Sequence, residues 1–356
     1  MLSSSTFRAL VSGQACGLLA TIARFGLSLA EIPYRWAIAY RNHCFDKGRC
    51  AVHDVGVPVV SVGNLTLGGT GKTPTVAWLA TYFLEHEVGI AIVSRGYGSS
   101  SQEHNDEAME LSEKLPQVPH VQNPDRVAAA TSAIEQHACQ AILLDDGFQH
   151  RRLARDLDIV LIDALEPFGF DHVFPRGTLR EPVSNIVRAD AVALTRCELI
   201  DHAQREDVRQ RIEALAPKAV WLEITHHVES LLGADGGSDD PESLDGEQIA
   251  AFCGIGNPQN FRRTITSSCN WDLAGWREFP DHHRYDRQDV TNLLDWLQTI
   301  QANVAVCTHK DLVKLRSLWP ADIKLYALTI TSKILRGGDD LNRLLKPLIK
   351  RAGTRS

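Results

Sequence analysis

The glycine-rich stretch from residue 61 to residue 74, SVGNLTLGGTGKTP, constrains the fold of this chain more than any other segment. The apolar run 57–62 predicts a buried strand, and residues 74–84 predict a helix. A strand, a glycine loop, Gly-Lys-Thr and a helix in this order are typical of a P-loop. We therefore expect the loop N–H groups and the helix N-terminus to hold phosphate oxygens.

Two side chains in this stretch have specific expected roles. Lys72 would neutralise the β- and γ-phosphates of a nucleotide, and Thr73 would ligate Mg²⁺. Thr66 stands where the common motif has its first glycine, and the alternative is an ordinary glycine turn. The predicted nucleotide-binding residues are Leu67, Gly68, Gly69, Thr70, Gly71, Lys72, Thr73 and Pro74.

Composition narrows the class of protein. A chain of 356 residues is long enough for two domains. Its net charge of −7 argues against a general nucleic-acid binder, which needs a basic surface. The eight cysteines include no C-x-x-C pair, so neither a zinc site nor a disulfide framework is indicated. Reduced thiols in the cytosol are the simpler interpretation.

The N-terminal stretch 7–39 is rich in Leu, Ala, Ile and Phe. Gln14, Arg24 and Glu31 interrupt it, so it does not read as a transmembrane helix. Four arginines lie within or next to it, namely Arg8, Arg24, Arg35 and Arg41. We expect a helix in the membrane interface, whose arginines reach anionic head groups. The alternative is a helix that packs on the protein's own core.

Strands that alternate with helices predict an α/β fold, with a P-loop NTPase-type parallel sheet and helices on both faces. Further strands are predicted at 88–93, 141–144, 157–162 and 191–195. A polar break at 233–246 suggests a change of domain near residue 222. The predicted parts are an N-terminal helix (1–40), a nucleotide-binding domain (41–222) and a smaller C-terminal α/β domain (223–356).

Polar residues follow the predicted strands at the edge where ligands of parallel sheets bind. Asp145 and Asp146 end one strand and could hold Mg²⁺ opposite Thr73, although Asp-Gly is also a common surface turn. Gln149 and His150 on the same turn are candidates for positioning phosphate or substrate. Candidate acceptors for a substrate proton are Asp106, Glu107, Glu181, His282 and His283, and composition does not choose among them. Candidate phosphate-pairing arginines are Arg95, Arg126, Arg176 and Arg180, each of which could instead be a surface charge.

An ordered set of motifs runs along the chain to about residue 314. It comprises VGNLT (62–66), GGTGKTP (68–74), SRGYG (94–98), DE (106–107), DDGFQH (145–150), RGTLREP (176–182), GIGNP (254–258), FPDH (279–282) and THKD (308–311). In these motifs the chain resembles the tetraacyldisaccharide 4'-kinase (lipid A 4'-kinase) family. Thr66 fits this resemblance, because the family's loop tolerates Ser or Thr there.

The resemblance implies transfer of the γ-phosphate of ATP to the 4'-hydroxyl of a tetraacyldisaccharide 1-phosphate, which forms lipid IVA in lipid A biosynthesis. The implied cofactors are ATP and Mg²⁺, and the implied partners are the lipid A disaccharide precursor and the anionic inner-membrane surface. The implied location is the cytoplasmic face of the bacterial inner membrane. No nucleic acid and no obligatory protein partner are expected.

The resemblance also implies roles for individual residues. Asp145, Asp146 and Glu181 match acidic residues of the metal region. Asp106 matches the carboxylate that activates the acceptor, and His282 matches the histidine paired with it, with His283 as the open alternative. Because positions 106 and 282 fall in different predicted domains, this pair would form on domain closure. The implied substrate-binding residues are Asn64, Arg95, Tyr97, Arg126, Gln149, His150 and Arg180.

Two other classes of protein stay open at this point. One is a P-loop ATPase or GTPase that acts as a switch or metallochaperone, without a lipid substrate. The other is a membrane scaffold with a degenerate P-loop, against which the intact Lys72, Thr73 and Asp146 count. A switch needs no pair of residues that activates an acceptor, so Glu181, Asp106 and His282 favour the kinase.

Overall fold

The computed structural model describes residues 4–96, 106–281 and 283–354. Its contacts divide the chain into two units. The first unit comprises Met1–Ser99, Leu115–Thr225 and Lys333–Ser356, and the second comprises Ser100–Lys114 and His226–Ser332. The chain therefore leaves the first unit and returns to it.

The elements are numbered in chain order. The strands are Val59–Asn64 (β1), Ile90–Ser94 (β2), His120–Gln122 (β3), Ala141–Asp145 (β4), Leu157–Asp163 (β5), Ala191–Thr195 (β6), Val220–Gly233 (β7), Ser238–Asp239 (β8), Ile249–Cys253 (β9), Leu273–Glu278 (β10), Val304–Thr308 (β11) and Lys324–Arg336 (β12). The α-helices are Ser4–Val11 (α1), Leu18–Asp46 (α2), Lys72–Glu85 (α3), Asp106–Lys114 (α4), Arg126–His137 (α5), His202–Leu215 (α6), Pro258–Ser268 (α7), Arg287–Thr299 (α8), His309–Leu315 (α9) and Gly338–Gly353 (α10).

The first unit contains a parallel sheet in the order β7-β6-β5-β1-β4-β2-β3. Successive side chains of β1 point to opposite faces, yet Val59, Val60 and Val62 are all buried. Both faces of the sheet are therefore covered, which explains why its strands read as continuous apolar runs. The predicted α/β class with helices around a parallel sheet is confirmed.

The second unit contains a smaller parallel sheet in the order β10-β9-β11-β12. Apolar side chains of α8 and α9 pack with Phe252 in one of its cores, and Phe261 and Ile265 of α7 pack in the other. Helix α4 belongs to this unit, because His309 of α9 lies 2.8 Å from Glu113 of α4 through Nε2 and Oε2. Lys114 of α4 also donates to the carbonyl of Ile330 at 3.1 Å.

The two units differ from the predicted domains in three places. Strand β7 runs through residue 222, where the boundary was expected, and the chain changes units at residue 226. The C-terminal segment with α10 belongs to the first unit, not to the smaller one. Helix α4, which begins at Asp106, is grouped with the second unit. The pairing of Asp106 with His282 on domain closure stays a prediction, because His282 lies outside the described residues.

Helix α2 combines two opposite faces. Its buried residues Glu31, Ile38 and Asn42 follow one helical stripe that packs on the first unit. Large exposed apolar residues follow the opposite stripe, which we call the apolar face of α2: Leu18, Ile22, Phe25, Leu29, Ile32, Trp36 and Tyr40. In the described part of the chain, no helix has the length and apolar character needed to span a membrane.

Two of the four N-terminal arginines are used inside the first unit. Arg8 forms an ion pair with Glu166 at 2.7 Å, and Arg24 donates to the carbonyl of Ala15 at 2.8 Å. Arg35 and Arg41 remain exposed. The expectation that all four arginines reach outward is thus wrong for Arg8 and Arg24, because local acceptors engage them.

Candidate active site

The glycine loop leaves the carboxyl end of β1, between β4 and β5, as the strand pattern predicts. Gly63 in β1 lies so close to the Asp145–His150 turn that a Cβ there would be 2.6 Å from the backbone nitrogen of Phe148. Only glycine allows this approach. The loop and the acidic turn are therefore held side by side by backbone packing.

Side chains and backbone groups hold the carbonyls of the loop by hydrogen bonds. Asn64 Nδ2 donates to the carbonyl of Thr66 at 2.8 Å. Arg196 Nη2 and Thr195 Oγ1 donate to the carbonyls of Gly69 and Thr70, each at 2.9 Å. The outer side of the loop is fixed by two backbone bonds, from Leu67 N to Thr178 O at 2.6 Å and from Arg180 N to Leu65 O at 2.7 Å.

The N–H groups of the same loop are left available. Within the described ranges, those of Gly68, Gly69, Thr70 and Gly71 donate to no backbone carbonyl. Gly68 and Gly71 have positive φ angles of 119° and 78°, which glycine adopts readily. Helix α3 begins directly afterwards at Lys72, so its N-terminus adds partial positive charge. This combination is an anion-binding cradle suited to phosphate groups.

A carboxylate and two cations meet beside this cradle. Asp146 accepts two hydrogen bonds from Arg180 Nη1, at 2.7 and 2.8 Å, and lies 3.6 Å from Lys72 Nζ. Burial acts to raise the pKa of Asp146, but the charges of Lys72, Arg180 and Arg126 outweigh it, and the pKa is lowered. Asp146 is therefore ionised at neutral pH. Its backbone has a left-handed φ of 54°, which points the carboxylate from the end of β4 to the cations.

Glu181 is fully buried and accepts hydrogen bonds from four side chains. Arg188 Nη2 lies 3.0 Å from both of its oxygens, and Asn185, Asn42 and Gln149 donate at 2.7, 3.2 and 3.2 Å. These bonds repay the desolvation of the carboxylate. Glu181 is thus the centre of a buried hydrogen-bond network, and its predicted place in a metal site stays a prediction.

Known proteins that are similar to this chain in sequence show which family it belongs to. The family model for tetraacyldisaccharide-1-P 4'-kinase (LpxK) matches residues 23–350. Proteins called tetraacyldisaccharide 4'-kinase are similar: one from Anaeromyxobacter sp. (strain Fw109-5) is 36% identical over 91% of each chain, and one from Syntrophus aciditrophicus (strain SB) is 32% identical over 86% of this chain and 88% of the relative.

The chain belongs to the tetraacyldisaccharide 4'-kinase family. The solved structure of Aquifex aeolicus LpxK in complex with ATP is 28% identical, with a TM-score of 0.73 over 92% of this chain and 99% of that chain. The protein is therefore a kinase that acts on a hydroxyl group, and the resemblance seen in the motifs is confirmed.

The magnesium residues predicted for this 4'-kinase family member lie on neighbouring elements. Thr73 is buried in the first turn of α3, and Asp145 is buried at the end of β4, opposite Val62 of β1. Among the described residues, no group of three or more His, Cys, Asp or Glu side chains could hold a metal by itself. Thr73, Asp145 and Asp146 offer the oxygen ligands that Mg²⁺ prefers, and Mg²⁺ in such sites takes its other ligands from phosphates and water.

The remaining predicted substrate residues have varied surroundings. The side-chain amides of Asn64 and Gln149 donate hydrogen bonds to backbone carbonyls. Gln149 Nε2, for example, donates to Asn64 O at 2.8 Å. Burial, followed by the charges of Arg126 and Arg152, lowers the pKa of His150 to about 4, so its imidazole is neutral at physiological pH. Arg126 is buried at the start of α5, and Arg95 is exposed after β2.

Three predicted residues fall on parts of the chain about which the structure gives no side-chain description. Tyr97 and His282 lie outside the described residues, and Asp106 is described only as the first residue of α4. His283, the alternative to His282, has a defined place. Its Nε2 lies 2.9 Å from Asp289 Oδ2, and its ring packs against Phe279 and Tyr285.

Three residues at the ends of β5 and β6, which were not predicted from the sequence, hold the loop. Thr195 ends β6 and Arg196 follows it, with an ion pair from Arg196 to Asp163 of β5 at 2.6 Å. Arg196 has a left-handed φ of 57°. The sequence offered one indication of their role. Asp163, Thr195 and Arg196 all lie at the carboxyl ends of predicted strands, where ligand sites of parallel sheets lie.

Proposed function

We propose that this protein transfers the γ-phosphate of ATP to the 4'-hydroxyl of a tetraacyldisaccharide 1-phosphate, which yields lipid IVA in lipid A biosynthesis. The observation that carries the proposal is the cradle beside Lys72, Asp146 and Arg180 in a chain of the 4'-kinase family. A phosphoryl transfer needs positioning and charge stabilisation more than covalent chemistry, and this arrangement supplies both.

The donor side rests on the first unit. The N–H groups of the loop and the N-terminus of α3 bind phosphate oxygens, and Lys72 neutralises the charge that develops on them. Asp146 holds Lys72 and Arg180 in place before the nucleotide arrives, since both cations lie within 4 Å of its carboxylate. Such preorganisation lowers the free energy needed to reorganise charges during the reaction.

Magnesium would be held by Thr73 together with Asp145 and Asp146, whose hydroxyl and carboxylate oxygens fit the ion. The chemistry that the ion supplies when bound is neutralisation of phosphate charge. The protein's own contribution is the rigid end of β4. There a Cβ at Gly147 would approach Ser61 Oγ within 2.4 Å, so the turn that carries both carboxylates is tightly packed against β1.

The acceptor side is proposed from the family resemblance. Asp106 would accept the proton of the 4'-hydroxyl, and His282 would orient Asp106. The contacts of His283 support this choice of histidine, because its ring is already engaged with Asp289, Phe279 and Tyr285. Asp289 also caps α8, so His283 serves to fix the loop on that helix.

A phosphotransfer assay tests the proposal. The protein is incubated with Mg²⁺, γ-labelled ATP and the tetraacyldisaccharide 1-phosphate in detergent, and label in the lipid is measured. Lys72→Ala should lower kcat/KM by about 10³-fold, because it removes a cation from the transition state. Lys346→Ala, which removes an exposed lysine of α10, serves as the control.

The assay also separates the kinase from the switch or metallochaperone that the sequence left open. A switch would hydrolyse ATP or GTP without labelling the lipid, and its hydrolysis would respond to a protein partner. A second variant, Asp106→Ala, should reduce turnover much more than it weakens ATP binding. Equal losses in turnover and ATP binding would refute its role in acceptor activation.

We further propose that the enzyme acts as a peripheral protein at the anionic cytoplasmic face of the inner membrane. The apolar face of α2 supports this, since Trp36 is 75% exposed and Phe25 is 67% exposed. Such a stripe on a helix too polar to span the bilayer fits an interfacial position. The exposed Arg35 and Arg41 add attraction to anionic head groups. Sedimentation with lipid vesicles tests this proposal.

A further inference from the structure

Asn42 connects helix α2 to the active site through buried contacts. It lies on the face of α2 opposite the apolar face, and it is only 6% exposed. Its Nδ2 donates to Glu181 Oε2 at 3.2 Å. An amide in such a place costs free energy unless it is hydrogen-bonded, and a leucine of similar volume would fill the space without that cost. The amide therefore needs an explanation beyond packing.

The contacts of Glu181 continue towards the cradle. Its other oxygen, Oε1, accepts a hydrogen bond from Gln149 Nε2 at 3.2 Å. Gln149 Oε1 in turn accepts from Arg180 Nη1 at 3.4 Å, and the same nitrogen binds both oxygens of Asp146. A series of polar contacts thus leads from α2 to the carboxylate beside Lys72.

The side-chain amide of Gln149 has one orientation that satisfies its contacts. Gln149 can donate to Glu181 and accept from Arg180 only if its amide keeps one orientation, which its second bond to Asn64 O at 2.8 Å also requires. Asn42 completes the donors to Glu181 Oε2, and so fixes the carboxylate that sets the orientation of Gln149.

We propose that Asn42 is a positioning residue for the kinase reaction: acting through Glu181 and Gln149, it fixes Arg180 and Asp146 where the donor phosphates bind. The helix that presents the apolar face would then also set the geometry of the nucleotide site. This inference rests on the proposed function, and it assigns a role to a residue that none of the sequence motifs includes.

The test compares Asn42→Leu with His43→Leu, a change to the neighbouring, exposed side chain of the same helix. Because the series ends at the donor site, Asn42→Leu should raise KM for Mg-ATP about 5-fold, the loss expected from one hydrogen bond. KM for the lipid acceptor should stay within about twofold for the same reason. His43→Leu should leave both values unchanged.

A double-mutant cycle with Gln149→Leu tests whether Asn42 acts through this series. If it does, the double variant is little worse than Gln149→Leu alone, since the second change removes a contact that is already lost. Additive effects on KM for Mg-ATP would overturn the proposal. An equal rise in both KM values, or a fall in kcat alone that matches the folded fraction, would overturn it too.

One further measurement and one substitute variant complete the test. Calorimetric titration with Mg-ADP should show weaker binding to Asn42→Leu than to His43→Leu, and unchanged binding would contradict the proposal. This readout needs no acceptor, so it stands even if the wild-type protein fails to phosphorylate the lipid. If Asn42→Leu does not fold, Asn42→Ala, which removes the donor without adding bulk, is measured with the same expectations.

Discussion

At the residue scale, Asp146 combines a functional carboxylate with an unusual backbone. Its φ of 54° is in the left-handed region, which aspartate and asparagine tolerate better than other non-glycine residues. The next residue, Gly147, donates its N–H to Val62 O at 3.2 Å, which ties this turn to β1. Both the side chain and the backbone of this position therefore restrict the residue that can occupy it.

This restriction predicts different stabilities for two variants that both lose the carboxylate. Asp146→Ala should be less stable than Asp146→Asn by about 1 kcal/mol, because the left-handed backbone conformation is less favourable for alanine than for asparagine. Both should lose about 10²-fold in kcat/KM, because the charge that orients Lys72 and Arg180 is gone. Urea unfolding and the phosphotransfer assay measure these effects. Equal stability of the two variants would show that the backbone relaxes.

His150 predicts a pH dependence of stability. Its pKa in the folded protein is about 4, below the ordinary value of 6.5. The unfolded chain binds the proton first as pH falls, so the stabilisation due to neutral His150 is present above pH 6.5 and is lost as pH falls towards 4. Between pH 7.5 and pH 5, the wild type should therefore lose more unfolding free energy than His150→Gln. Identical losses, measured by urea unfolding, would rule out this contribution.

Single residues could be predicted from the sequence where one motif fixes one role. Lys72 lies beside the cradle as expected, because the order of strand, loop and helix defines its place. The contact of Asn64 and Gln149 with substrate stays a prediction, and the structure adds that both amides donate to backbone carbonyls. An amide serves either purpose, and the choice depends on the path of neighbouring loops, which no local pattern records.

At the scale of elements, the apolar face of α2 makes the clearest prediction. Replacing Ile22, Phe25 and Trp36 together with serine should reduce sedimentation with phosphatidylglycerol vesicles about tenfold or more, because these side chains are the apolar area available for insertion. Thermal stability should change little, since the three side chains are exposed. Vesicle sedimentation and a melting curve measure the two effects.

The matched control changes exposed apolar residues that lie elsewhere on the first unit. Val52 and Val187 are 54% and 62% exposed, and neither belongs to α2. Replacing both with serine removes apolar surface without touching the helix, so vesicle binding should persist. A comparable loss of binding in the control would mean that general surface hydrophobicity, and not the apolar face of α2, drives the association.

The buried strands around the cradle could be predicted well. Residues 191–195 were expected as a strand and form β6, and the predicted strands 141–144 and 157–162 each end one residue early. These strands are covered on both faces, so they show as apolar runs. Strand β7 was missed because residues 227–230 are exposed or half-buried and mostly polar, so this part of the strand reads as a loop.

At the scale of the whole molecule, α10 belongs to the unit that holds the cradle, and this predicts where a core substitution acts. Leu345 of α10 is fully buried, so Leu345→Ala should destabilise the first unit by about 3 kcal/mol through loss of contacts and a cavity. Amide hydrogen exchange should accelerate in β1 and β5, and it should stay unchanged in β9 of the second unit.

The same residue change at an exposed position is the control for this prediction. Leu335 is 57% exposed, so Leu335→Ala should alter stability by no more than about 0.5 kcal/mol. If Leu345→Ala instead accelerated exchange equally in β1 and β9, the two units would unfold together, and the division of the chain by contacts would not describe its stability.

The arrangement of units could not be predicted because it depends on contacts between residues distant in sequence. The C-terminal helix joins the first unit partly through Arg351, which pairs with Asp156 at 2.6 Å, while Asp156 also accepts from Val59 N at 2.8 Å. A boundary placed at a polar loop assumes that each domain is one continuous segment. That assumption fails here, since the first unit is built from three segments.

The return of the chain to the first unit has a consequence for biosynthesis. On the ribosome, the segments that carry the cradle are made first, but the helix that covers part of their core follows only after the whole second unit. Until then the nascent chain exposes the part of the core that Leu341, Leu345 and Leu348 cover in the folded protein. The apolar face of α2 is exposed in addition. We expect ribosome-bound chains that stop before residue 338 to be cleaved rapidly in the first unit by added protease, and to be the species that chaperones protect.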